Sequence, residues 1–287
     1  MTKPYSPIFL IFKSINQILL RLNTIFKIFL IIFFTNSLSS SQNIQSAGES
    51  GIPLITNYLP KNYYANVQNW ASLQDKRGVM YFANGEGVLE YDGVNWRLIN
   101  VPNDLVRCLA IDEDGIIYVG GINEIGYLSA DSTGLLKYAS LNKLISKDIP
   151  DFGDVWRIIV NQDGLYFQTF SSLFLIESSK EKNASFLNGV LKNHFIKRWE
   201  SRTRFNPIHS LENRIFVHER NVGLQELVDG KLTLLKGGEE FAQDLICIML
   251  PFPPLKLESN KIPARILIGS LRRGLFLYDG TKFEKFN

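Results

Sequence analysis

Apolar residues in this chain come in short bursts that do not sustain a helical period. "VMYFA" (Val79–Ala83), "IIYVG" (Ile116–Gly120) and "LYFQT" (Leu165–Thr169) are rich in β-branched and aromatic residues, which predicts strands. Before them stand "VRCLAID" (Val106–Asp112) and "VWRIIVN" (Val155–Asn161), apolar enough for inner strands buried on both faces. The connecting "DKRG", "DEDG" and "NQDG" predict tight turns. In these, an Asp or Asn side chain bonds the backbone and Gly accepts a positive φ. The third bursts, "VLEYDG", "ELVDG" and "FLYDG", end in Asp-Gly, a strong hairpin signal. Trp96, Leu232 and Phe283 then open outer strands.

This four-burst unit recurs. Copies begin at Val67, Val106, Val155, Ile208 and Ile246, and the positions ahead of the third burst are Gly87, Gly126, Ser172, Gly223 and Gly274. Spacings of 39, 46, 51 and 51 residues with four short strands per unit are those of a β-propeller blade. The expected fold is all-β: about five four-stranded blades spanning 64–102, 103–143, 150–192, 204–238 and 243–287. An unrelated β-sandwich is the alternative, and five copies in register argue against it. Residues 182–199 are expected to hold a helical turn or a long loop.

The first 41 residues read differently. Met1–Gly48 contains no Asp or Glu, and Lys3, Lys13, Arg21 and Lys27 precede the apolar run "IFLIIFF" (Ile28–Phe34). This is the layout of an export signal, with cleavage expected near Ser41 and an uncleaved anchor as the alternative. Residues 42–63 are read as a linker, within which "GIPLITNYLP" is a candidate closing strand. The formal charge of +3 for the whole chain thus belongs to the leader, and the body is near neutral, with no basic stripe for nucleic acid. The two cysteines, Cys108 and Cys247, fall in inner strands of separated blades, too far apart for a bridge. They are expected to be free and buried, with no disulfide.

The segments "NWASLQDKRGVMYFANGEGVLEYDG" and "DVWRIIVNQDGLYFQTFSSLFLI" resemble the two-component regulator propeller repeat, and the similarity covers about residues 66–287. The family's "W-I-G-T" element departs here to "YFAN", "YVGG" and "YFQT". The resemblance implies the exported sensor region of hybrid two-component and triple-tyrosine-domain regulators. In these, the propeller precedes a β-domain, a membrane helix and a signalling output. None of those output motifs occurs in this sequence, and family propellers have about seven blades. The expectation is therefore an incomplete ring, a sensing portion without its output domain, in a periplasmic or extracellular location.

Chemistry is sparse. His194, His209 and His218 have no metal or catalytic spacing, and the latter two are read as solvated or turn histidines. "DEDG" (Asp112–Gly115) lacks the spacing of a calcium loop. "NAS" (Asn183–Ser185) would accept a glycan only in a eukaryotic secretory route. No catalytic residue, metal or cofactor is expected. Counting back from the turn glycines Gly78, Gly115 and Gly164 puts Trp70, Arg107 and Trp156 where inner strands begin, with Asn69, Asp154 and Arg157 beside them. Trp faces stack on sugar rings and Arg pairs with carboxylates or sulfates, so this set is a candidate funnel for an acidic saccharide or other small ligand. Packing between blades is the competing role for the two tryptophans. A ligand-sensing receptor propeller is the leading reading. A free glycan- or protein-binding module and a propeller-scaffold polysaccharide lyase or hydrolase are the alternatives.

Overall fold

A computed structural model describes residues 55–145, 149, 151–178, 187, 196–252 and 265–286. Residues 58–287 form one compact unit. The leader, its cleavage point, Asn183 and His194 lie outside the described residues.

Among the described residues, twenty strands assemble into five four-stranded antiparallel sheets, each an up-and-down meander. Blade 1 is β1 (Asn69–Gln74), β2 (Met80–Asn84), β3 (Gly87–Tyr91) and β4 (Trp96–Ile99). Blade 2 is β5 (Val106–Ile111), β6 (Ile117–Gly121), β7 (Glu124–Ala130) and β8 (Leu136–Ser140). Blade 3 is β9 (Arg157–Asn161), β10 (Gly164–Gln168), β11 (Ser172–Glu177) and β12 (Ile196–Glu200). Blade 4 is β13 (His209–Leu211), β14 (Arg214–Glu219), β15 (Gly223–Val228) and β16 (Lys231–Leu234). Blade 5 is β17 (Ile246–Phe252), β18 (Arg265–Ser270), β19 (Gly274–Tyr278) and β20 (Phe283–Lys285). The fold is that of a β-propeller. The span 182–199 ends in β12 rather than wholly in loop.

The turns follow side-chain chemistry. Asp92 Oδ1 accepts the backbone N–H groups of Val94 and Asn95, at 2.8 and 2.6 Å, and Asp279 Oδ1 repeats this with Thr281 and Lys282. Asp112 accepts from Ile116 N–H and from the Tyr118 hydroxyl. Gly87 is obligatory for two reasons. Its φ is +136°, and a Cβ there would sit 2.4 Å from the carbonyl oxygen of Ile99. Ser172, Gly223 and Gly274 likewise open their third strands, but Gly126 does not. In the pairing of β6 with β7, Glu124 lies opposite Gly121, as Gly87 lies opposite Asn84, so Glu124 is the counterpart.

The core consists of four apolar layers, one between each pair of successive blades. Tyr81, Val88 and Ile99 meet Val106, Val119 and Leu128 between blades 1 and 2. Ile125 and Tyr118 meet Phe152, Phe167 and Phe174 next. Leu173 and Tyr166 then face Ile215 and Val217, and Phe216 and Leu224 face Ile246, Ile268 and Phe276. The first apolar residue of the third strand recurs in every layer: Val88, Ile125, Leu173 and Leu224 are all fully buried. Among the described residues no such layer joins blade 5 to blade 1.

The two ends of the array differ. On blade 1, Tyr58 meets Tyr91 at a tilt and Trp96 edge to face, and Tyr63, from the helical turn α1 (Pro60–Tyr63), packs on Trp96. Tyr58–Pro60, part of the candidate closing strand, therefore cover a sheet face instead of extending a sheet. On blade 5, Ile248 lies over Gly269 beside Leu275, and Leu250 lies opposite Leu267, all on the face turned away from blade 4. Ile248, Leu250 and Leu275 are 44%, 45% and 41% exposed.

Both cysteines are free, but only Cys108 is buried. Each of β1, β5 and β17 shifts register by one residue near its start, at Trp70, Arg107 and Cys247 respectively. Such a bulge turns one residue out of the ladder. Cys247 is thus the counterpart of Arg107, not of Cys108, and is exposed. Cys108 donates to the Val155 carbonyl at 3.2 Å within the layer between blades 2 and 3, and burial pushes its thiol up to about 12.

Leu224→Ala should lower the free energy of unfolding by about 2–5 kcal/mol, the cost of a cavity in a closed core. Leu275→Ala, at the same position one blade on, should cost well under ~1 kcal/mol. Denaturant titration of both variants measures the difference.

Candidate functional site

The inner strands begin at one end of the array, and there blades 1, 2 and 3 contribute a single aromatic–cationic cluster. Arg107, turned out by the β5 bulge, lies between two indoles, with its guanidinium carbon 4.1 Å from the Trp70 ring and 4.5 Å from the Trp156 ring. The two indoles meet edge to face at 5.9 Å. Asp154, in the connection entering blade 3, accepts from Arg107 Nε and Nη2 at 3.1 and 2.9 Å. The Arg107 side chain is only 14% exposed. Its charge is therefore already spent on two ring faces and one carboxylate.

Of the six residues singled out from the sequence, Trp70, Arg107, Asp154 and Trp156 are brought into direct contact. Asn69 stands at the start of β1 and accepts from Asn84 Nδ2 at 2.8 Å. Arg157 is exposed and makes no ion pair with a described residue. Strand register refines their equivalence. The first turn of blade 3 is shorter, because Asn161 pairs with Gly164, whereas Gln74 pairs with Met80 and Ile111 with Ile117. The register nevertheless keeps the equivalence: Tyr81 pairs with Leu73, Tyr118 with Ala110 and Tyr166 with Ile159, and Trp70, Arg107 and Trp156 each stand three residues ahead of that inner-strand partner, while Arg157 is the ladder counterpart of Ala71 and Cys108. Trp70 is 38% exposed and offers a face to solvent, while Trp156 has a buried indole N–H without a hydrogen-bond partner among the described residues. The two tryptophans thus divide the roles: Trp156 packs, and Trp70 is presented.

Two residues escaped the sequence reading. Phe170 stacks on Trp156 with centroids 4.8 Å apart, and the Arg204 guanidinium carbon lies 3.5 Å from the Phe170 centroid. The available signal was positional: loops between second and third strands fall at the same end as the inner-strand starts, and Phe170 is in one of them.

The histidines depart from expectation. His209 and His218 are both buried in strands of blade 4 rather than solvated. His218 bridges Asn206 and the Phe241 carbonyl, and burial depresses its basicity. Burial, aided by the nearby Arg157 charge, pushes His209 down to about 4. Both are therefore neutral at physiological pH. Among the described residues no group of His, Cys, Asp or Glu could hold a metal ion.

No protein-family model matches the sequence, and no curated protein matches it. The fold has solved counterparts. One is the extracellular domain of BT4673 from B. thetaiotaomicron, a protein named as a one component system, with TM-score 0.52, 18% identity and 77% of this chain covered. A second structure of that domain, named as a hybrid two component system, superposes with TM-score 0.47 and 17% identity over 77% of this chain and 33% of its own. Virginiamycin B lyase from Staphylococcus aureus, solved with quinupristin, gives TM-score 0.50 and 13% identity over 79% of this chain and 71% of the lyase. The chain spans 28% of the length of the first of these. At these identities the likeness shows the propeller fold, which sensors and an enzyme share.

Two outcomes follow from the geometry. Arg107→Ala should destabilise the protein by roughly 2 kcal/mol, because it strips both indoles of their cation and leaves Asp154 unpaired; thermal unfolding reads this. A histidine with a depressed folded-state pKa contributes stability that is complete above about pH 6.5 and lost as pH falls through that value toward about 4. His209→Phe should therefore flatten the decline of stability across that window, a loss of up to about 3 kcal/mol in the parent, measured by denaturant titration at stepped pH.

Proposed function

We propose that this chain is the exported, ligand-sensing propeller portion of a signal-transduction receptor, and that it binds without catalysing. The observation that carries the reading is the convergence of Trp70, Arg107 and Trp156 at the inner-strand mouth, with Trp70 presenting a ring face to solvent. A flat, partly exposed indole beside fixed cations suits a sugar ring carrying an acidic group. The basic, apolar leader supports export, and the resemblance to sensor propellers supports a receptor role, with the output supplied by a domain outside this sequence. Both supports are analogies of sequence and fold, so function rests on the site itself.

A lyase on the same scaffold is the second reading, favoured by the fold shared with virginiamycin B lyase. It needs a group poised to move a proton. His209 and His218 are buried and neutral, and neither belongs to the Trp70–Arg107–Trp156 cluster.

Calorimetry of the purified chain against neutral, uronic and sulfated oligosaccharides tests the proposal. Trp70→Ala should weaken binding of the preferred sugar by about tenfold, the worth of one stacked aromatic. Absence of binding to every sugar, or affinity unchanged by Trp70→Ala, overturns the mouth as a ligand site, and product release from any of them overturns the non-catalytic reading. Amino-terminal sequencing of the exported protein should find Gln42 or a near neighbour first.

A further inference from the structure

Arg107 is spent, so an acidic ligand at the mouth needs another cation, and the structure holds four. Arg157, Arg202, Arg204 and Arg220 are exposed, and none forms an ion pair with a described residue. Arg157 opens β9, and the other three lie on loops knitted together at the mouth end of blades 3 and 4. Phe205 N–H donates to the Phe170 carbonyl at 2.8 Å, Ser201 N–H to Ser171 at 2.9 Å, and Arg220 N–H to the Arg204 carbonyl at 2.9 Å. The Thr203 hydroxyl bonds the Arg220 carbonyl. Arg157 pairs in the ladder with Gln168, two residues before Phe170.

The acids nearest in sequence are occupied. Glu219 turns inward, accepting from the N–H groups of Arg202 and Thr203, the Ser201 hydroxyl and the Gln225 amide. Glu200 pairs with Arg198 at 3.0 Å. Phe170 carries the guanidinium of Arg204 on its ring while stacking on Trp156. That stack holds one cation in a fixed plane and joins the arginine ledge to the Trp70 cluster.

We propose that this ledge is the anion-recognising subsite of the mouth, taking the sulfate or carboxylate groups of an acidic oligosaccharide whose sugar ring rests on Trp70. Arg107 then acts as a positioning residue. The inference rests on the mouth being a ligand site, and it adds which cations meet the charge. Planar guanidinium groups match oxyanions better than flexible ammonium groups do. The four arginines form a short ledge on a near-neutral body, which favours a short acidic glycan over a long nucleic acid.

The test is calorimetry of the purified full chain with a chondroitin sulfate hexasaccharide, an oligogalacturonate, a neutral cello-oligosaccharide, inorganic sulfate and a single-stranded DNA oligomer. Arg204→Ala and Arg220→Ala should each weaken the preferred acidic sugar by about tenfold and reduce the salt dependence of its binding. Neither should alter any binding of the neutral sugar, and Trp70→Ala should weaken both. The preference between sulfated and uronic sugars identifies the oxyanion. All four side chains are exposed, so the variants should melt as the parent does. Acidic-sugar affinity unchanged in the arginine variants but lowered by Trp70→Ala overturns the ledge and leaves the mouth standing. Indifference to all three substitutions overturns both. Binding of DNA or of free sulfate as tight as that of the hexasaccharide overturns an acidic-sugar site, as does failure of every probe to bind.

Discussion

Everything in this molecule depends on sheets that cannot stand alone. A four-stranded meander of three- to seven-residue strands buries little by itself, and its stability comes from pressing each face against a neighbour. The residue just past the start of the third strand makes that contact in blades 1 to 4. Val88, Ile125, Leu173 and Leu224 are chemically ordinary aliphatics, yet each closes a layer from which water is excluded. The glycine or small residue before most of them lets the third strand approach the outer one, and the Asp-capped turns set the register that keeps each aliphatic on its face. The mouth inherits its geometry from this stacking. Three inner strands from three blades start side by side, so residues far apart in sequence become neighbours.

The mouth is held together by charge on aromatic faces. Arg107 reaches across from blade 2, Trp70 comes from blade 1, and Trp156 and Asp154 come from the entry to blade 3. One guanidinium therefore ties three sheets at the point where apolar layers end and solvent begins. A cation sandwiched by rings and matched by a carboxylate tolerates partial burial because each of its costs has a partner. The same arrangement removes Arg107 from direct recognition and passes that task to arginines on the neighbouring loops.

The blades themselves were legible in the sequence because strand alternation, Asp-Gly turns and recurrence are local properties. The mouth was legible in part for the same reason: the repeat places Trp70, Arg107 and Trp156 at strand starts. What escaped depends on register. A bulge is one extra residue in a ladder, invisible without the partner strand, so Cys247 looked like Cys108 when it is the counterpart of Arg107. His209 and His218 sit at the ends of a hairpin in sequence, where solvent is the default, and only the packing of blade 4 on blade 5 buries them. Phe170 and Arg204 meet through a backbone bridge between two loops, a contact that no spacing within either loop encodes.

The bare outer face of blade 5 carries a kinetic meaning as well. A stacked array behaves as a chain of coupled units, and a unit coupled on one side only opens more readily than those gripped on both. Blade 1 escapes this through its tyrosine cover, whereas β17 to β20 do not. Amide protons of the fifth sheet should therefore exchange sooner than those of the second or third, and any surface that came to rest on Ile248 and Leu275 would slow that opening and tighten the mouth from a distance.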